Sequence, residues 1–459
     1  MTEIIHLDTL DEVKESDKAL VEHLEKQGVK YVMASWVDIL GRPRAKCTPI
    51  KFLPDLIGGF ARYTPRGITG IGETNPVEEE VTSRPDVSTL TILPWNRKYA
   101  WMVADMWSDK GEPFELDPRS ILKKQIAKAE EQDLYATLGI EPEFYVYKPD
   151  STLGERGFRA VTPAATVRPS PAYDVETVLD SHEFLDRMAD MMLGCGLEPF
   201  NIGAEGGVGQ YEIDFYYKPL LEMADRAILY KLMIRQVAKE FGLVATFMPK
   251  PFQDDWGSGA HFNLGLYRGP DMKKQDSVFR DINKKWTPEG LSFVAGVLRH
   301  MPAITAIANP MVNSYRRLTP RLIDGSVSWA PIKIAYGYNN RSCVIRLPEN
   351  RAACELRSAD ASANPYLVSA FMLAAGLEGI KNKYDPGPAM EVLASDVETL
   401  PNLPATLRDA ITEFQNDPLS EEVFSKNFVH DYVETKMQEW EKEHLRVVRY
   451  EREDDIHLV

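Results

Sequence analysis

The chain has 459 residues, 44% of them hydrophobic and 27% charged, with a formal net charge of −16. That balance belongs to an ordinary globular protein long enough for two or three domains. It excludes non-specific nucleic-acid binding, which runs on excess lysine and arginine, but leaves room for a local arginine cluster that holds phosphates.

The N-terminal residues 1–8 are neither basic nor continuously apolar, so no signal peptide is expected there. Residues 10–27 carry Leu10, Val13, Leu20, Val21 and Leu24 at helical spacing, with Gly28 as the stop. A strand over 29–37, a turn over 38–42 with Gly41 at its corner and a strand over 45–50 predict a hairpin. Residues 58–76, rich in Gly, Thr and Pro, read as a long irregular loop. Strands resume at 88–93 and 99–104, which makes the first hundred residues a small α+β domain of antiparallel strands with one or two helices. Asp117 then caps a helix with Pro118 at its first position. The domain boundary is placed just before it, giving domains 1–112 and 113–459.

From there short strands and helices alternate to about residue 380, without the regular rhythm of a doubly wound sheet. Amphipathic helices fit 181–195, 221–241 and 289–307. The most apolar helical stretch, near 370–376, is too short to span a bilayer. Residues 406–449 are helical and heavily charged, and the run 437–443 reads as a solvated face. The four cysteines (Cys47, Cys195, Cys343, Cys354) are scattered without metal spacing, which fits a reduced, cytoplasmic protein.

The chemistry begins at Glu141-Pro-Glu143, on a strand predicted over 137–147. Side chains two apart on a strand share a face, so the two carboxylates point the same way and repel unless a cation sits between them. A solvated face with incidental acids is the alternative. Glu205, a glycine-rich turn, Glu212 and Asp214 follow. This stretch lacks the G-x-G-x-x-G spacing and opens a strand, so it is not a dinucleotide motif. Two hairpin strands would instead bring Glu205 and Glu212 together, a second acid pair suited to Mg²⁺ or Mn²⁺. After the glycines at 257 and 259, His261 and Asn263 alternate on one strand face as a ligand and a polar neighbour. Arg341 and Arg346, five apart around an apolar run, fall on opposite sides of a flat strand and meet one site only if the chain bends there. Glu355 and Arg357 share a face. Arginine forks suit phosphate and carboxylate oxygens.

These residues carry a resemblance. E-P-E-F, G-Q-x-E, G-S-G-x-H, N-P-x-x-N-S-Y-x-R-L, N-R-S-x-x-I-R and E-x-R-x-x-D-x-x-A-N-P-Y-L occur in this order, from about residue 30 to the C-terminus, and resemble the glutamine synthetase family. The resemblance implies an α+β fold: an N-terminal β-grasp domain and a catalytic domain whose antiparallel β cavity is surrounded by helices. It also implies a dodecamer of two stacked hexameric rings, with active sites between neighbours. One divalent metal would sit on Glu143, Glu205 and Glu212, and a second on Glu141, His261 and Glu355. Arg317 and Arg357 would hold the carboxylates of glutamate, beside the Gly257 backbone. Arg341 and Arg346 would neutralise the phosphates of ATP, with Asn263 at the nucleotide. The implied reaction activates the γ-carboxylate of glutamate as an acyl phosphate, which an amine then displaces.

The amine side departs from the family pattern. The loop over 61–70 lacks the ammonium-binding aspartate of glutamine synthetases. In the loop 317–331, longer than the family's, Trp329 stands in place of the glutamate that takes the ammonium proton, and Asp324 is the remaining acid. Trp256 replaces a usual asparagine. Ala353 replaces an arginine for which Arg351 can substitute. Residues 391–404 lack the tyrosine that carries adenylylation in regulated bacterial forms. Losing both acids weakens selection of a small cation, and a tryptophan favours a carbon-bearing nucleophile. The expectation is therefore a γ-glutamylamide synthetase acting on a small alkylamine such as methylamine or isopropylamine. A glutamine synthetase that uses ammonia, with Asp324 as base, is the alternative. A non-catalytic scaffold is a third reading, against which the intact ligands and arginines count.

Overall fold

In the computed structural model, which describes residues 15–65, 80–150, 152, 158–168 and 171–446, two sheets carry the architecture. The first runs Pro43–Arg44, Tyr31–Val37, Tyr99–Ser108, Val81–Pro85, Arg62–Tyr63, with Cys47–Pro49 and Thr91–Ile92 as side branches. Gly41, at φ +76°, turns the chain between the strands that hold Trp36 and Arg44. The expectation of purely antiparallel strands is corrected, because Tyr31–Val37 and Tyr99–Ser108 run parallel. The long excursion between them is what a parallel pair requires and a hairpin does not. The predicted strand over 88–93 is mostly a 3₁₀ turn, Val87–Thr89, with only Thr91–Ile92 extended. Asp86 causes this by accepting from the Ser88 backbone N–H and hydroxyl. Part of the predicted N-terminal helix (10–14) and of the irregular loop (66–76) lies outside the described residues.

Both faces of the parallel pair are buried. Val32, Ala34, Ala100 and Met102 close a small core under the helix Glu15–Lys26. Trp36, Trp101 and Val103 join the large core of the rest of the chain. The helix at Pro118 is capped as its sequence dictates, with Asp117 accepting from the Ser120 backbone N–H. Residue 112 falls between the first sheet and this helix, yet the apolar packing runs on without a break.

The second sheet has the order Pro199–Ala204, Gln210–Phe215, Leu134–Pro149, Ala260–Arg268, Cys354–Leu356, Ile345–Leu347, Tyr336–Tyr338. Every neighbour along it is antiparallel except the last pair. Along Leu134–Pro149, Leu138, Ile140 and Phe144 are buried against the helices Leu220–Glu240 and Pro118–Glu130, while Glu141 and Glu143 alternate with them onto the opposite, accessible face. The helix expected over 289–307 is instead two, Pro288–Arg299 and Met301–Ala308, bent by 70°. Pro302 cannot continue the first helix and so starts the second. The charged C-terminal region likewise divides into Leu407–Asn416, Pro418–Phe424 and Lys426–His444, interrupted by Pro418 and by Ser425 at positive φ. No single described helix is long and apolar enough to cross a membrane.

One polar knot ties the layers together. Arg119, 2% exposed, donates to Asp86, Asp105 and both oxygens of Asp225 at 2.8–2.9 Å, and Tyr366 donates to Asp225 at 2.7 Å. Burial disfavours the guanidinium's charge, but these carboxylates outweigh it and raise its pKa.

Candidate active site

Sheet register sets out the site. Glu212 lies opposite Glu143, Glu141 opposite His261, Asn263 opposite Glu355, and Glu355 opposite Arg346. Glu205 follows the strand Pro199–Ala204, held by its N–H to the Gln210 carbonyl at 2.9 Å. Residues far apart in sequence thus form one diagonal across five strands, acids at one end and arginines at the other.

At the arginine end every fork is aimed. Glu355, fully buried, accepts from Arg346 at 2.9 Å, Arg357 at 2.6 Å and Arg351 at 3.3 Å. Arg351 also reaches Glu141 at 3.0 Å and the Asn263 side-chain oxygen Oδ1 at 2.8 Å, so it takes the place beside Glu355 that Ala353 cannot fill. Arg346 donates to Asn339 at 2.6 Å, and its buried Nε has no partner. Arg341 is not on a flat strand. It sits in the turn before Ile345–Leu347, its carbonyl accepting from Arg357 Nε, and its exposed guanidinium lies close enough to favour a charged Glu205. The turn is the bend that brings Arg341 and Arg346 to one site. Arg317 is buried, with its guanidinium on the carbonyls of Ser358 and Arg357. It passes over the glycines: a Cβ at Gly257 would lie 2.7 Å from its Cγ, and one at Gly259 2.7 Å from its terminal nitrogen.

The acid end has little positive charge of its own. Ligand atoms of Glu141, Glu212 and His261 lie within 4.8 Å of one another, and His261 Nδ1 is 3.3 Å from Glu141. Glu143 accepts from Gln210 at 3.0 Å and the Gly259 N–H at 2.9 Å, both at one oxygen. This grouping cuts across the two ligand sets that the resemblance implies, because the oxygens of Glu355 are occupied by arginines. Burial, together with Glu143 and Asp214, pushes Glu205 up to about 8 against the pull of Arg341. Glu212 is raised well above the usual carboxylate range by burial and by Asp214, Glu143 and Glu141. Burial also raises Asp214 to about 6. Glu141 is the exception. Burial opposes its charge, but the hydrogen bond and charge of His261 and the guanidinium groups of Arg351 and Arg357 hold it at about 2. Oxygen donors with one imidazole, crowded until they resist ionisation, fit a hard divalent cation.

Several neighbours escaped sequence reasoning. Tyr145 follows Glu141 and Glu143 at the same two-residue spacing, and its hydroxyl donates to the Trp256 carbonyl at 2.8 Å. The period alone marks it. Gln210 was visible as the second letter of G-Q-x-E. Asn339 had no local signal. The Trp256 ring lies on the backbone beside Glu205, 2.6 Å from where a Cβ of Gly206 would be.

In the loop 317–331, Asp324 is exposed at a hairpin tip, where its carboxylate accepts from the Ser326 N–H at 2.9 Å and hydroxyl at 2.6 Å. Those bonds lower its pKa and make it a weak base. Trp329 is 49% exposed at φ +57°, a conformation that costs a side-chain-bearing residue about 1–3 kcal/mol. Of the loop over 61–70, residues 66–70 lie outside the described residues.

Residues 115–454 match the family described as "Glutamine synthetase, catalytic domain". A glutamine synthetase of Rhizobium meliloti (strain 1021) is 33% identical over 90% of this chain and 94% of the relative. A glutamate–methylamine ligase of Methyloversatilis universalis is 32% identical over 91% and 94%. A solved structure described as a GmaS/ADP complex superimposes with a TM-score of 0.86 at 30% identity, covering 95% of this chain and 99% of that one.

Proposed function

The chain belongs to the glutamine synthetase family of ATP-dependent ligases, and on that premise we propose that it joins the γ-carboxylate of L-glutamate to a small organic amine. Relatives described as a glutamine synthetase and as a glutamate–methylamine ligase are almost equally similar, so identity does not choose between them. The observation that carries the reading is Trp329, an exposed aromatic ring held at positive φ on the loop that begins at Arg317. An apolar ring there binds a methyl or alkyl group and offers an ammonium ion nothing that a carboxylate would. Asp324, tied to Ser326, is poorly placed to be the base of an ammonia-using enzyme.

In this reading Arg317 and Arg357 hold glutamate beside Gly257. Arg346, with its unpartnered Nε, and Arg341 take phosphate oxygens, which lets the γ-carboxylate attack the terminal phosphate of ATP. Asn263, locked between Glu141 and Arg351, sits at the nucleotide. Glu141, Glu143, Glu205, Glu212, His261 and Glu355 would hold or orient two or more Mg²⁺ or Mn²⁺ ions. Such ions supply charge neutralisation between anionic reactants. The arginines lower the same repulsion from the other side. The active unit is a cytoplasmic dodecamer of two hexameric rings, whose first domain (1–112) meets the catalytic domain (113–459) of a neighbour.

The test is phosphate release from ATP, glutamate and Mg²⁺ across ammonium, methylamine, isopropylamine, ethanolamine, putrescine and aniline. A higher kcat/KM for an alkylamine supports the proposal. The highest value for ammonium would make the protein a glutamine synthetase instead.

A further inference from the structure

A cavity of about 1240 Å³ opens between the turn at Gly41, the helix Leu220–Glu240, the segment around Pro310 and the C-terminal helix Lys426–His444. None of its lining residues belongs to the acid–arginine site. Its charge is one-sided. Arg42, Lys231, Arg235, Arg316 and Lys442 line it, and none makes an ion pair with any described residue. Its two acids are already taken: Glu439 by Lys436 at 3.0 Å, and Glu443 by Arg446 at 3.1 Å. Behind the wall, Asp360 is held by Asn309 and Ser362, and Asp38, beside the lining turn, by Arg44.

Among the described residues, Asp38 is the one carboxylate that touches any of the five: it accepts from the Arg42 backbone N–H at 2.9 Å, while its other oxygen is taken by the Arg44 fork at 2.9–3.0 Å. Lys231 donates to the Ala363 carbonyl at 3.1 Å, and Arg235 lies over the Phe247 ring at 5.2 Å. Burial and its neighbour Arg235 push Lys231 down to about 7; burial, with Arg42 adding to it, lowers Arg235, and burial outweighs the pull of Glu439 to lower Lys436 as well. Five cations without a side-chain ion pair among the described residues, gathered in one concavity on a chain of net charge −16, form a local field opposite in sign to the whole. Between them the walls are apolar, with Ile228, Leu232 and Met311. The space is far larger than a hydrated monatomic ion needs and within reach of a metabolite-sized ligand. We propose that this cavity binds a small organic anion carrying two or more carboxylate or phosphate groups.

The experiment uses the full chain without substrates or divalent metal, so its outcome is separable from the catalytic proposal. Lysine acetylation is followed by mass spectrometry at Lys231 and Lys442 while citrate or pyrophosphate is titrated at constant ionic strength, with chloride as the control. The expected result is saturable protection of both lysines, roughly tenfold at an anion concentration about ten times Kd. The paired substitution R42Q/R235Q should abolish it, as should R316Q/K442Q read at Lys231. R341Q, in the phosphate-binding part of the catalytic site, should leave it intact. Stronger protection by citrate identifies carboxylate as the preferred group, and stronger protection by pyrophosphate identifies phosphate. Protection no greater than chloride gives, or protection unchanged in R42Q/R235Q, overturns the proposal. So do lysines that are unreactive without any anion and become reactive only on dissociation to single chains, since another copy would then close the cavity.

Discussion

Glu143 and Glu212 stand directly opposite each other on neighbouring antiparallel strands, the position in which like charges destabilise a sheet. With Glu205 beside them the arrangement is unfavourable by itself and becomes favourable around a cation. Adding Mg²⁺ or Mn²⁺ should therefore raise the melting temperature, by about 2.7 kcal/mol of stability when the ion is at about 100 times Kd. E212Q should invert the order: more stable than the parent in EDTA, by about 1 kcal/mol, and less stable in metal. Calorimetry with and without the ion checks both halves.

Arg351 touches Glu141, Asn263 and Glu355 together, so it positions groups that meet the ligands. R351M should reduce kcat/KM about 10- to 100-fold, the usual loss when an outer-shell partner is removed. R351K should recover little, because one ammonium cannot span three acceptors. Steady-state kinetics with metal-affinity titration separates this from unfolding.

Trp329 should set amine choice. W329E should move the ratio of kcat/KM for methylamine over ammonium toward ammonium by about tenfold, or ~1.4 kcal/mol, within the range that one methyl group commands. An unchanged ratio would remove Trp329 from the amine pocket.

At the 70° bend between two helices, His300 is 4% exposed, with Asp417 at 2.7 Å and Glu378 at 2.5 Å. Burial alone would lower its pKa, but the two carboxylates outweigh it and raise it above the ordinary 6.5. A raised histidine contributes stability that is complete below its unfolded pKa and is lost as pH rises through the folded value. H300Q should thus cost about 2 kcal/mol at pH 6, with the gap to the parent narrowing toward pH 9. Urea titrations at both pH values provide the comparison.

Arg119 joins Asp86 and Asp105 of the first sheet region to Asp225 on the long helix. Removing it leaves buried carboxylates without a cation, so R119M should cost about 3–5 kcal/mol. Replacing Asp86 alone, the most exposed partner, should cost less. Denaturant midpoints give the order.

Much of the site was legible because it is written in short periods. Glu141 and Glu143, His261 and Asn263, and Glu355 and Arg357 each lie two residues apart on a strand, and that spacing alone assigns them a shared face. Asp117 with Pro118 announced a helix start, and Gly41 a turn. The misreadings came where distant or competing contacts won. The parallel pairing of Tyr31–Val37 with Tyr99–Ser108 depends on a partner about seventy residues away. The strand expected at 88–93 yielded to the hydroxyl and N–H bonds of Asp86.

By itself, then, the sequence determined which candidate residues share a strand face and, through its ordered motifs, the family. Only the tertiary structure decided how they meet: that Glu212 confronts Glu143, that Arg351 reaches side chains on three strands, and that a turn swings Arg341 toward the site of Arg346. It also decided which acids remain uncompensated, since a carboxylate's charge state depends on neighbours supplied by other strands. Local periodicity sets direction along a strand, whereas register and burial are properties of the whole packed chain.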